Sequence, residues 1–167
     1  MTTKRRRTPD KPVTEAMVWG ILDLIEDPEI PAVSMVDLGI IRGVRLDPEA
    51  IVVELMPTFL GCPALEMMRD MIVERVGRLG PVHVDLVRDE AWSTERISEA
   101  GRRKLHDSGF APPPRGRVVD LPLLTAAECP YCGAHDTALE SAFGPTPCRA
   151  IHYCRACRQP FEQFKAV

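Results

Sequence analysis

Cys129, Cys132, Cys154 and Cys157 form two Cys-x-x-Cys turns, Cys129-Pro130-Tyr131-Cys132 and Cys154-Arg155-Ala156-Cys157. A turn of this kind aims two thiolates at one point, and two such turns complete the tetrahedron that Zn2+ accepts. The stretch from Gly133 to Tyr153 is long enough to return through a short hairpin, so the pattern is that of a structural zinc ribbon. Residues 128–167 carry few large apolar side chains. Their folding energy must therefore come largely from the ion.

Cys62 and Cys148 stand outside these knuckles. Cys62 lies in Gly61-Cys62-Pro63. Proline suits the first position of a helix, which makes Cys62 its expected N-cap. Backbone N–H groups and the helix dipole would then face the sulfur and lower its pKa below the free value of roughly 8.5. More thiolate means a better nucleophile and a better soft-metal ligand, and Gly61 would let the backbone approach closely. The plainer reading is a buried cysteine used as a small apolar residue, and the local sequence leaves both open. Asp27, Glu29 and Asp37 can approach Cys62 across the ends of a sheet, although each also suits helix termination or loop solvation. The four histidines are scattered and no base pairs with Cys62, so no catalytic residue is assigned.

The elements that must position these groups follow from periodicity. Val18, Ile21, Leu22 and Ile25 recur at helical spacing over Thr14 to Glu26, and the prolines of Asp27-Pro28-Glu29-Ile30-Pro31 end that helix. A strand within Ser34 to Leu46, with Ile40, Arg42, Val44 and Leu46 on one face, meets a second, Ile51 to Met56, across the turn Asp47 to Ala50. A helix from Pro63 to Leu79 carries the stripe Leu65, Met68, Ile72, Val76 and Leu79, and Gly80 caps its end. Val82 to Val87 alternates as a third strand, leaving His83 on the outer face, and a last helix runs from Thr94 to His106. The order is αββαβα, and a helix between strands two and three predicts a parallel crossover. The expected fold is α+β: a small αββαβα domain with a mixed three-stranded sheet, followed by a zinc ribbon.

The expected divisions are a basic disordered tail (1–11), a first domain (12–109), a proline-rich linker (110–127) and the ribbon (128–167). The two domains should fold separately, with the joint at 111–116. Charge is uneven along the 167 residues. Residues 12–127 hold 12 basic and 19 acidic side chains, a balance of −7. An acidic first domain excludes the clustered cations that phosphate contacts need, so no nucleic-acid partner is expected. No apolar run approaches the ~20 residues of a membrane span, and no apolar stretch follows the basic N-terminus as in a signal peptide. A cytoplasmic protein is the expectation, and there paired Cys-x-x-Cys spacing favours metal over disulfide.

Asp27-Pro28-Glu29-Ile30-Pro31, Val36-Asp37-Leu38-Gly39-Ile40-Ile41 and Gly61-Cys62-Pro63 together resemble the SufT-like metal–sulfur cluster biosynthesis domain over about Val13 to His106. That family commonly has Thr-Ser-Pro where this chain reads Thr58-Phe59-Leu60. Further on, Phe143-Gly144-Pro145-Thr146-Pro147-Cys148, Cys154-Arg155-Ala156-Cys157 and Pro160-Phe161-Glu162-Gln163-Phe164-Lys165 are similar to the PaaD family of phenylacetate degradation. The resemblance implies an accessory, non-enzymatic role in assembly or iron–sulfur maturation of the multicomponent phenylacetyl-CoA epoxidase. The implied partners are its di-iron oxygenase and its flavin and [2Fe–2S] reductase. The alternative is a structural or regulatory subunit that handles no cluster. Beyond structural Zn2+, the implied cargo is a transient iron or iron–sulfur cluster, handled by Cys62 and Cys148 with support from Asp27, Glu29, Asp37 and Gly61, and a homodimer would allow it to be shared between subunits. Cys148 matches a cysteine of the PaaD pattern. It is a second functional thiol, a substitute ligand in a knuckle, or a packed small residue. The first is favoured, because a fifth cysteine beside a closed Zn–S4 site adds nothing to folding and risks mispairing.

Overall fold

The computed structural model describes residues 12–59, 61–114 and 127–165. The tail at 1–11 and linker residues 115–126 lie outside these. Helix α1 spans Glu15–Leu22 and is capped by the Thr14 hydroxyl, which accepts the Met17 N–H. Val18, Leu22 and Ile25 are buried. The helix stops short of the expected Glu26 because the following turn is held by other bonds. Asp27 accepts the N–H groups of Glu29 and Ile30, each at 2.9 Å, and Glu26 bridges to Ser34.

Strands β1 (Ile41–Leu46) and β2 (Ile51–Leu55) are antiparallel, and β3 (Val82–Leu86) runs parallel to β2. The crossover is helix α2 (Leu65–Val76), whose buried stripe is Met68, Ile72 and Val76. The sheet order β1-β2-β3 is the expected mixed sheet. Two local expectations are corrected. The register slips between Ile41 and Gly43, so Ile41 and Val44 face the core while Arg42 and Leu46 are exposed. A bulge shifts alternation by one residue, which the period-two pattern of β1 could not anticipate. The cap of α2 is Ala64, with no side-chain bond, so Cys62 and Pro63 precede the helix. The Leu65 N–H bonds the Cys62 carbonyl at 3.2 Å, a tight turn in place of the first helical turn.

After β3, a 3-10 turn (Thr94–Arg96) and helix α3 (Glu99–Asp107) replace the single expected helix. Ser98 breaks the run, because its hydroxyl accepts the Gly101 N–H at 2.8 Å and caps α3. The 3-10 turn packs over Gly39, whose φ is +66°. A Cβ there would lie 2.5 Å from the Arg96 carbonyl oxygen, so the Asp-Leu-Gly motif requires its glycine on both counts.

The second sheet has the order β4-β7-β6-β5: β4 (Phe110–Ala111), β5 (Thr137–Ser141), β6 (Arg149–Cys154) and β7 (Pro160–Phe164). The ribbon hairpins are antiparallel, and β4 joins the edge of β7 in parallel. Thus Phe110 and Ala111, expected in the linker, form a strand of the ribbon sheet. Phe164, from the end of β7, is buried in the core of the first domain and meets Trp92 edge-on, with ring centroids 5.7 Å apart. Trp92 is anchored in turn by its indole N–H, which donates to the Leu38 carbonyl at 2.9 Å. The two parts share side chains in one core and a strand in one sheet. Among the described residues, no helix is long and apolar enough to cross a membrane.

Candidate metal centres

The four knuckle cysteines converge. Their Sγ atoms lie within 4.8 Å of one another, with Cys129 to Cys157 at 3.7 Å and Cys132 to Cys154 at 3.6 Å. A tetrahedron with Zn–S bonds of about 2.3 Å has edges of roughly 3.8 Å, so the donor set fits one four-coordinate ion. Local structure builds the knuckles. The Cys129 carbonyl accepts the Gly133 N–H at 2.8 Å, and the Cys154 carbonyl accepts the Arg158 N–H at 2.8 Å. Gly133 and Arg158, both at positive φ, close the two turns. The Cys154 thiol is lowered to about 7, chiefly by the Cys157 N–H aimed at its sulfur from 3.5 Å. Burial and the neighbouring sulfurs push Cys157 up to about 12. Thiols this crowded lose all their protons only around a cation. Cys129 and Cys154 are fully buried and Ala111, Ala127 and Phe161 pack with them, a small core organised around the sulfurs.

The second cluster lies where the two parts meet. Cys148 precedes β6 and is half-buried; its thiol faces the Glu29 carboxylate, Sγ to Oε2 3.7 Å, and contacts the Thr146 hydroxyl at 3.2 Å. Cys62 is half-buried in the turn before α2 and feels the charges of Glu29, Cys148 and Asp27. The N-cap expectation of a lowered Cys62 pKa is corrected. Burial raises it, and the surrounding negative groups raise it further. The one N–H that points at the sulfur, from Ala64, does not offset them. Cys148 is raised as well, by burial first and by Glu29, against the Thr146 hydroxyl and the Arg149 guanidinium. Asp27 is raised by burial, despite the two N–H groups it accepts. Burial and nearby negative charge thus both favour the protonated form of the two thiols.

Glu29, Asp27 and Cys148 therefore stand with Cys62. Asp37 does not: it accepts from Lys104 Nζ at 2.5 Å, the Ser98 hydroxyl at 3.0 Å and the Ser34 N–H at 3.2 Å, pinning α3 to the loop before β1. At Gly61 a Cβ would meet the Phe59 ring at 2.9 Å. Two residues at the cluster were not among the expected site residues. Arg149 reaches it from β6, buried with its guanidinium over the Phe110 ring, and bonds Thr146 Oγ1 at 2.9 Å and Glu162 at 2.9 Å. Thr146 holds both Arg149 and Cys148. Their signal in the sequence is proximity to Cys148, with Thr146 inside the motif that ends on that cysteine.

Comparison with known proteins agrees with both parts. Residues 15–87 match the family described as iron-sulfur cluster assembly protein, and residues 118–165 match the PaaD zinc beta ribbon domain. A curated protein of Escherichia coli (strain K12), named as a subunit of 1,2-phenylacetyl-CoA epoxidase, is 38% identical over 152 residues, covering 90% of this chain and 92% of its own length. Among solved structures, a domain of unknown function from Bacillus anthracis is 26% identical with a TM-score of 0.47, covering 55% of this chain and 90% of that one. A conserved hypothetical protein from Thermotoga maritima is 27% identical with a TM-score of 0.48, covering 58% and 98%.

Proposed function

Because the chain belongs to the PaaD family of 1,2-phenylacetyl-CoA epoxidase subunits, we propose that it is a non-enzymatic accessory factor that assembles the epoxidase or matures its iron–sulfur centre. Its partners are the oxygenase and reductase subunits of that system. The ribbon holds a structural Zn2+ through Cys129, Cys132, Cys154 and Cys157 and docks the client. Cys62 and Cys148 carry iron or a cluster transiently, with Glu29 and Asp27 beside them. One observation carries this reading: the extra cysteine of the ribbon faces Glu29 at 3.7 Å, and the cysteine of the assembly domain packs against the same core within electrostatic range of both. Two thiols brought to one core from separate parts of the chain, in half-buried positions, suit a cargo that must enter and leave. The raised thiol pKa values oppose a free nucleophile at neutral pH, which argues against thiol catalysis.

The alternative is a structural or regulatory subunit in which both thiols only pack. It draws on the packing of Cys62 and Cys148 against the first core. Replacing Cys62 by Ser in cells that depend on the epoxidase separates the two. The maturation reading expects a normally folded variant, lost epoxidase activity and an under-loaded [2Fe–2S] reductase. Full activity with a fully loaded reductase would leave the subunit reading.

A further inference from the structure

We infer that the apolar pocket at the end of the parallel strand pair binds a small organic acid with a flat aromatic body, Arg88 taking the carboxylate and Phe59 and Trp92 taking the ring. The inference stands apart from the maturation reading, since it uses neither Cys62 nor Cys148. The loops that leave β2 and β3 at their C-terminal ends enclose a pocket of about 300 Å3, lined by Phe59 from the first loop and by Val87, Arg88, Glu90 and Trp92 from the second. The crevice beyond the C-terminal ends of parallel strands is where ligands settle in open α/β sheets. This volume lies at the small end of ligand sites, room for one ring system and a short arm. Phe59 leaves 49% of its surface in water. Trp92 is buried, its indole N–H is engaged by the Leu38 carbonyl, and so it offers a ligand the apolar ring and no donor.

The charged groups decide the sign of the ligand. The Glu90 carboxylate lies 2.8 Å from Arg96 and 3.6 Å from Arg42, so its charge is matched. Arg88 is exposed and forms no ion pair among the described residues. The pocket thus keeps one unmatched positive charge beside aromatic walls. An unpaired arginine on a plain surface is merely solvated. At the rim of an apolar pocket, its planar fork holds a carboxylate by two parallel bonds while the ring of the same molecule leaves water. Arg88 disfavours a cationic ligand, and the volume excludes a nucleotide. The position also couples the ligand to the ribbon. Phe164 docks edge-on against Trp92, so a molecule packed on Trp92 and bound only by the folded chain stabilises both parts together.

The test is a titration of the full, zinc-loaded chain with hydrocinnamate, a phenyl ring on a short arm ending in a carboxylate. Binding is read by calorimetry and by the indole N–H signals of Trp19 and Trp92 in proton–nitrogen correlation spectra. The expected result is saturable binding with a Kd of about 1 mM or tighter, the range open to a ligand of roughly eleven non-hydrogen atoms. The Trp92 signal should move and the Trp19 signal should stay. Arg88→Gln, at an exposed and unpaired position, should leave the fold intact and weaken binding roughly fivefold or more. The uncharged hydrocinnamide should bind the parent as weakly, and Phe59→Ala should weaken the acid as well. No saturable binding, or a shift at Trp19 in place of Trp92, overturns the inference. So does equal affinity for acid and amide, or unchanged affinity in Arg88→Gln or Phe59→Ala. None of these results bears on the maturation reading, whose own test is the loaded state of the reductase.

Discussion

The ribbon quartet and the Cys62–Cys148 cluster are both built from cysteine, yet they are opposite kinds of site. In the quartet each pair of sulfurs is three residues apart and held by its own tight turn, and the apolar side chains of Ala111, Ala127, Ala134 and Phe161 pack against it. In the other cluster Glu29 and Cys148 face each other from 119 residues apart in the chain, and carboxylates, a hydroxyl and a guanidinium lie near the thiols. Four preset sulfurs are a donor set that fits one four-coordinate ion without rearrangement. The two half-buried thiols near carboxylates are held protonated, by burial first and by the nearby negative charge second. The metal chemistry of a cysteine is thus set by its neighbours more than by its own identity.

The comparison breaks most easily at the ribbon. Cys132→Ser, or a strong chelator, should remove the structural metal and melt residues 127–165, since such an ion contributes roughly 10–16 kcal/mol of apparent binding free energy to small zinc modules. Elemental analysis with far-UV circular dichroism checks this, and unchanged metal content in Cys132→Ser would refute the assignment. The loss should spread to the first domain, because β4 and Phe164 tie the two together.

That tie can be tested alone. Phe164→Ala should cost about 3–5 kcal/mol, in the range for a deleted core aromatic. It should lower the melting of both parts together in calorimetry. A fragment ending at Gly109 that melts as cooperatively and as high as the whole chain would restore the picture of two separate domains and leave the Cys148 contact incidental.

Asp37 offers a smaller effect. Burial pushes its carboxyl up, but the bonds from Lys104, the Ser34 N–H and Ser98 outweigh burial and hold it below 3.8. A lowered folded-state pKa contributes stability that is full above 3.8 and is lost as pH falls through the lower folded value. Asp37→Asn should therefore destabilise by about 1–3 kcal/mol at pH 7 and flatten the acid limb of the stability curve. Chemical denaturation at pH 7 and below pH 4 measures both. Equal destabilisation of the variant relative to the parent at both pH values would remove the charge from the account.

The smallest effect separates the two sites by their protons. Cys62→Ser should change stability by no more than about 0.5 kcal/mol. Both Cys62 and Cys148 are raised above 9 in the folded chain, so their protonated forms favour folding below pH 9 and that contribution is lost as pH rises through the folded values. Alkylation of Cys62 by iodoacetamide should accordingly have its midpoint above pH 9, while the metal-loaded ribbon thiols stay protected. A Cys62 midpoint well below 9 would restore the helix-capped thiolate.

Much was legible in the chain itself. The αββαβα order and the mixed sheet followed from apolar periodicity and turn residues, because period and punctuation are local properties. The quartet was legible for the same reason: a Cys-x-x-Cys turn sets the separation of its two sulfurs within four residues. Local detail was lost where backbone bonding overrode pattern, as at the bulge between Ile41 and Gly43 and in the turn that puts Ala64, and not Cys62, at the head of α2. The sequence also supplied Cys62, Cys148, Glu29 and Asp27 as candidates, but not their environment. Only the tertiary structure decided that burial, with the nearby carboxylates, raises both thiols, that Arg149 joins them and that Asp37 serves α3 instead. The reason is physical: the docking of β7 through Phe164 onto Trp92, together with the pairing of β4 to β7, fixes where the segment carrying Cys148 meets the turn carrying Glu29. No spacing along the chain encodes a contact that depends on the packing of one core against another.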